Sequence, residues 1–476
     1  MGSEMCIRDR DGPFALAVHD AEAGTLLLAR DRFGQRPLCY AAAGDAFAFA
    51  SEIQALLAWP GVEREPDLDV VAHILSFGHG PADRAPFAGM RRLRPGHLLR
   101  RRADGCLEEA CWWGLPERAA GDEGPGFEEV QARFDAAVAA AAQGADAVLL
   151  DDGEAAAALA ARLGRTGHGG RVRQLRLEAD AAPWSPALLS ELLWHAGEPV
   201  LHPEAPALRA ALAETGGRAL SAAGGCELLL AHRRYRRFAA ALARWREEGR
   251  PPADWRAGFH DTPPFARDIY HAAAGGLPEA ERLDLCGPAL MHTLLFSMPD
   301  ALGASLEQAG EADAAERAAR LDIAFRVPAF DLAAMDAAAA AAGTPVPDCP
   351  FLDRRLVESA LAAPPAARHR LVEGGAAHRP PAAPGGDGGP GQKESAELRD
   401  LIADTLLGAR SRERGLFNPA VVGDLLRPCA ASPRHLPHAL RAVLGIELWF
   451  QDFVDASPER REPPRPRESA SAEMAA

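Results

Sequence analysis

The apolar and polar positions near the start of the chain alternate in the way a half-buried strand requires. Phe14, Leu16 and Val18 alternate with smaller or polar neighbours, residues 19–24 read as a turn, and residues 25–29 predict a second strand. Residues 30–34 turn again, residues 37–40 and 47–50 predict further strands, and residues 51–59 predict a helix with Ser51 as its N-cap. The short connections predict an antiparallel meander. From residue 127 the period changes. Residues 127–142 predict a helix, and Ala147–Leu150 is a short apolar run of the kind buried in a parallel sheet. Asp151-Asp152-Gly153 breaks that run, and Glu154 opens an alanine-rich helix with Leu159 and Leu163 on one face. Residues 172–177 predict a strand, 188–199 a helix ending in a proline turn, and 237–343 a mostly helical stretch.

Two stretches carry no periodicity. Residues 119–126, rich in Gly and charge, predict a linker, and the Gly/Pro-rich residues 374–391 predict a mobile loop. The charged, Pro-rich residues 456–476 predict a disordered tail. Residues 1–10 fit neither period and join abruptly to the strand pattern that begins at Phe14, which marks them as a non-native extension.

Composition narrows the class. A chain of 476 residues with 48% hydrophobic and 25% charged residues should form two or more soluble globular domains. A net charge of −15 argues against nucleic acid and anionic membranes as partners. No apolar run approaches the ~20 residues of a spanning helix. The 8 cysteines show no paired metal spacing, which points to reduced thiols in a cytoplasmic protein. Lys393 is the only lysine, the remaining basic charge being arginine.

The candidate chemistry centres on residues 147–164. A strand, a tight glycine loop and a helix N-terminus present backbone N–H groups to a phosphate. Here the loop carries the carboxylates of Asp151 and Asp152 where the anion would sit. A carboxylate within ~4 Å of a phosphate oxygen costs on the order of several kcal/mol at intermediate dielectric.

ALAVHDAEAGTLLLARDRFGQRPLCYA, FAFASEIQALLA and LRPGHLL resemble the later half of the glutaminase domain of the asparagine synthetase family. The resemblance implies an α+β sheet fragment of the N-terminal-nucleophile type over residues 11–118. The attacking cysteine, the glutamine-holding arginine and the asparagine-glycine-glutamate loop belong to an upstream part of that fold. Cys6 does not match the nucleophile, which needs its own free α-amino group as base. The implied half-domain does not hydrolyse glutamine. For residues 127–455 the resemblance implies an α/β parallel-sheet synthetase domain, of the adenine nucleotide α-hydrolase-like kind, with a helical C-terminal part.

In that family the first loop reads serine-glycine-glycine-X-aspartate-serine and binds ATP. Its counterpart here runs from Asp151 to Ala156: only Gly153 is kept, and Ala155 stands where the family's magnesium-binding aspartate would be. The second family loop, serine-glycine-acid-glycine-X-aspartate-glutamate, is matched by Ser221, Gly224 and Glu227, with Gly225 at the variable position. Ala223 replaces an acid there and Cys226 the second magnesium-binding aspartate. The resemblance implies nucleotide contacts at Leu150, Asp151, Gly153, Leu177, Ser221, Gly224, Gly225 and Glu227. HRRYRRF matches the family's arginine-tyrosine run, and residues 350–353 its proline-phenylalanine-leucine-aspartate turn. The acid and arginine that usually precede that turn give way to Val346-Pro347-Asp348, and Lys393 fits no catalytic lysine motif.

The family reaction is ATP-dependent amidation of aspartate with glutamine-derived ammonia, with ATP and magnesium as cofactors. Aspartate and glutamine are the implied small-molecule partners, and a homodimer is allowed. The loop carboxylates together with the loss of a magnesium ligand predict ATP binding at least about a thousandfold weaker, and the loss of both magnesium acids points the same way, to an impaired enzyme. Two alternatives stay open: a non-catalytic scaffold or regulatory relative, and another amide-forming synthetase such as a lasso-peptide cyclase.

Overall fold

The computed structural model describes residues 7–44, 46–117, 124–151, 153–177, 184–248, 279–296, 314–373, 392–429 and 438–456. Asp152, Cys6, residues 374–391, the tail beyond residue 456 and most of the expected linker lie outside the described residues, as does the side chain of Lys393.

The N-terminal strands form two antiparallel sheets rather than one meander. The first has the order β1 (Ala15–Asp20), β2 (Thr25–Arg30), β6 (His97–Arg101), β7 (Leu107–Cys111). The second runs β4 (Ala46–Ala50), β3 (Cys39–Ala43), β5 (Met90–Arg92). The strand predicted at residues 37–40 therefore starts at Cys39, and β2 pairs with β6, not β3. The two-residue period of β2 explains the layering: Leu27 and Ala29 face Ile7, Phe14, Leu98 and Trp112, whereas Leu28 packs with Leu38, Tyr40, Leu93 and Leu99. Ile7, although it falls within residues 1–10, is thus part of a packed core.

Between the sheets lies a locked turn. The Asp31 carboxylate accepts the N–H groups of Phe33, Gln35 and Arg36, each at 3.0 Å. The buried Arg30 guanidinium donates to the carbonyls of Gly34, Arg36 and Leu93 at 2.8, 2.7 and 2.9 Å. Gly34, at φ +66°, is required because a Cβ there would lie 2.9 Å from Pro95. The helix expected at residues 51–59 is a short one, Ile53–Leu57. Its N-cap position is Glu52, without a side-chain hydrogen bond, not Ser51. A further helix, Leu68–Phe77, is capped by the Asp67 carboxylate on the N–H groups of Asp69 and Val70.

The second half holds a parallel sheet of order β10 (Ala219–Ser221), β8 (Ala147–Leu150), β9 (Arg173–Arg176). All of β8 is buried, as its apolar run predicts. Helices Phe127–Ala141 and Glu154–Arg165 form as predicted, and Leu159 and Leu163 are buried together. Main-chain bonds from Asp348 to Ala219 and from Ser221 to Asp348, both 2.9 Å, extend the sheet beyond β10. A ten-residue π-helix, Asp322–Asp331, with Pro328 inside it, joins helices Ala314–Leu321 and Leu332–Ala342.

The C-terminal helices pack into a core shared between both halves. Trp449 is fully buried among Phe87, Leu189, Leu193 and Leu444, and its Nε1 donates to the Gly197 carbonyl at 3.1 Å. Among the described residues no helix is long and apolar enough to cross a membrane.

Candidate functional site

Adjacent parallel strands end side by side, so the loops after β8 and β10 meet at the carboxyl edge of the sheet, where open α/β folds place ligands. The structure brings Leu150, Asp151 and Gly153 there from β8, and Ser221, Gly224 and Gly225 from β10. Leu177 sits at the end of β9, its N–H on the Leu150 carbonyl at 2.9 Å. The contact between the loops is close. A Cβ on Gly225 would lie 2.6 Å from Phe351 Cδ2 and 2.8 Å from Ala155 Cβ. Gly224 adopts φ +79°, and a Cβ there would lie 2.6 Å from Leu352 Cδ2. Gly224 is therefore fixed by packing as well as by backbone conformation, and Gly225 by packing.

At the start of helix 154–165 one N–H group is taken by a side chain of this chain and a second lies beside another. Asp151 Oδ1 accepts from the Gly153 N–H at 2.7 Å. The Cys226 thiol lies beside the Ala155 N–H, and burial, with Glu227 and Asp151 nearby, pushes that thiol up. The Ser221 hydroxyl is also turned inward, on the Ala223 N–H at 3.2 Å. Ala155 is 1% exposed. The two positions implied to hold magnesium thus face each other across the loop contact, and they present a methyl group and a protonated thiol. Mg²⁺ takes hard oxygen ligands. Among the described residues no group of three or more His, Cys, Asp or Glu could hold a metal ion. The side chains at these two positions do not fit the magnesium–pyrophosphate group of the resemblance.

Glu227 belongs to a buried ion cluster behind its loop. Its buried carboxylate meets Arg234 Nη2 at 2.9 Å and Arg326 Nη1 at 3.7 Å. Arg234 Nη2 and the Tyr235 hydroxyl both reach Asp322 Oδ2 at 2.6 Å. Arg326 continues to Asp331 at 3.0 Å, and Asp331 to His202 Nε2 at 3.6 Å. Burial pushes the Glu227 carboxyl up, with Arg234 opposing. Burial and the neighbouring arginines also push His232 down to about 4. The sequence does not predict this buried ion cluster; Arg234 and Tyr235 lie in the arginine-tyrosine run, but Asp322, Arg326 and Asp331 come from the π-helix. Asp348, in the segment that lacks the family's acid and arginine, pairs with Arg218 at 2.6 Å instead.

The chain thus joins an N-terminal part built of two antiparallel sheets to a parallel-sheet core with helices around it. Residues 1–113 match the model of a glutamine amidotransferase domain, and residues 135–377, just over half of the chain, match that of asparagine synthase. The chain belongs to the asparagine synthase family. A stretch of 106 residues is 40% identical to asparagine synthetase [glutamine-hydrolyzing] 3 of Bacillus subtilis (strain 168), covering 21% of this chain and 17% of that protein. Another of 75 residues is 29% identical to the putative asparagine synthetase [glutamine-hydrolyzing] 2 of Methanocaldococcus jannaschii, covering 16% and 15% respectively. The matched stretches span less than a fifth of the length of these relatives.

Proposed function

We propose that this chain is an asparagine synthetase-like protein in which the family's reaction, ATP-dependent amidation of aspartate, is impaired at the nucleotide site. One observation carries the reading: of the N–H groups a phosphate would need, that of Gly153 is taken by Asp151 and that of Ala155 lies beside the Cys226 thiol. An entering pyrophosphate would have to displace both, approach a carboxylate, and do so without the acidic magnesium ligands. Each of these costs on the order of a few kcal/mol. The intact packing around the loops, Gly224 against Leu352 and Gly225 against Phe351, supports a preserved framework used for binding rather than turnover.

Pyrophosphate release with aspartate, MgATP and ammonium chloride tests this reading, because free ammonium bypasses any need for glutamine hydrolysis. The expected rate is below about a thousandth of the ~1 s⁻¹ ordinary for an enzyme. A rate near 1 s⁻¹ would refute the proposal.

A further inference from the structure

A second site lies away from the two loops. A cavity of about 340 Å³ opens between the N-terminal sheets and the helix Leu332–Ala342. It shares no lining residue with the loop site, and its size falls within the roughly 300–1,000 Å³ of small-molecule sites.

Opposite charges face each other across it. On one wall Arg36 leaves the locked turn. Its N–H is held by Asp31 at 3.0 Å and its carbonyl by Arg30 at 2.7 Å, so the base of the side chain is fixed. Its guanidinium gives one hydrogen bond, from Nη1 to the Gln35 carbonyl. On the other wall Asp336 projects from the helix and makes no hydrogen bond or ion pair among the described residues. Burial pushes its carboxyl up to about 7, against the pull of Arg36 and Arg30. The Thr344 hydroxyl, also in the lining, is buried without a hydrogen-bond partner. The other two arginines of the cavity are spoken for: Arg30 by three carbonyls, Arg92 by Glu198 at 3.0 Å. A carboxylate and a guanidinium that line one cavity without pairing with each other leave room for a molecule with both charges.

We propose that this cavity binds a small zwitterion of α-amino-acid size, its ammonium group on Asp336 and its carboxylate on Arg36. The planar guanidinium can take a carboxylate through two parallel hydrogen bonds. Glu52, on the same lining, adds a second anion for the ammonium end, and Thr344 a hydroxyl. A dicarboxylate would meet Asp336 and Glu52 with like charge, and a diamine would meet Arg36.

Isothermal titration calorimetry of the full chain with each of the standard amino acids, and with succinate, putrescine and ammonium chloride, tests the proposal. At least one amino acid should bind saturably, and the three singly signed probes should not. Asp336→Asn and Arg36→Met should each weaken that binding by about tenfold or more, the equivalent of ~1.4 kcal/mol. Asp336→Asn removes a half-buried carboxylate without a partner and should leave the free protein at least as heat-stable as wild type. Arg36→Met keeps the turn, whose bonds at this residue are to the main chain. Loss of binding would then not reflect unfolding. Three results would overturn the proposal: no amino acid binds, the singly signed probes bind as well, or binding survives in both folded variants.

Discussion

Replacing Arg234 with methionine is expected to cost about 3–5 kcal/mol of stability, the usual result of removing one partner from a buried ion pair. Arg234 stands between the carboxylates of Glu227 and Asp322, at 2.9 and 2.6 Å, and all three side chains are buried. Without it two anions face each other in a low-dielectric interior. Arg326 at 3.7 Å offers Glu227 only a distant replacement and is itself held by Asp331. Tyr235, whose hydroxyl burial and the same acids keep protonated, can stay on Asp322 but brings no charge. Urea denaturation at neutral pH measures the loss. A second change, Asp322→Asn in the Arg234→Met background, should recover part of it, because the surplus anion goes. A loss under about 1 kcal/mol would mean that the cluster is not closed as described.

The second large effect concerns the two facing positions of the loops. Ala155→Asp combined with Cys226→Asp should make stability depend on magnesium. In chelator, two carboxylates join Asp151 in a nearly closed corner, and the uncompensated burial costs several kcal/mol on the order expected for unpaired charge. With millimolar Mg²⁺ the same oxygens become ligands. The melting temperature of the double variant should therefore fall in chelator and recover with Mg²⁺, while the wild-type value stays the same in both. A double variant indifferent to Mg²⁺ would show that the two positions do not share one site.

Much of the synthetase core was legible because its signals are local. The four apolar residues of β8, the break at Gly153 and the 3.6-residue spacing of Leu159 and Leu163 mark strand, loop and helix without reference to the rest of the chain. The helix Leu68–Phe77 carries signals of the same kind, an Asp67 cap and apolar spacing at Val70, Val71, Ile74 and Leu75, yet it is absent from the elements predicted above. Pairing was not legible. The apolar run Leu26–Ala29 fits a strand with two buried faces, but the partner β6 lies some seventy residues on, and the run alone does not choose it. The boundary at Ser51 failed for a different reason: Glu52 is extended at ψ 144°, so the helix starts two residues later than the hydroxyl suggests.

The site divides the same way. Both loops could be found from glycine and strand ends, and the structure sets them against each other. What each side chain does there could not be found. That the Cys226 thiol would lie beside the Ala155 N–H depends on how two loops pack, and that Glu227 would pair inward depends on a π-helix nearly a hundred residues later. Charged residues in a helical stretch ordinarily suggest a solvated face. Asp322, at 0% exposure, is the opposite case.

Titration of the wild-type protein with ATP in millimolar Mg²⁺, followed by calorimetry, bears most directly on whether the self-occupied loop still accepts a nucleotide. No saturable binding is expected up to about 1 mM, the level that corresponds to roughly −4 kcal/mol. A dissociation constant in the micromolar range would contradict it.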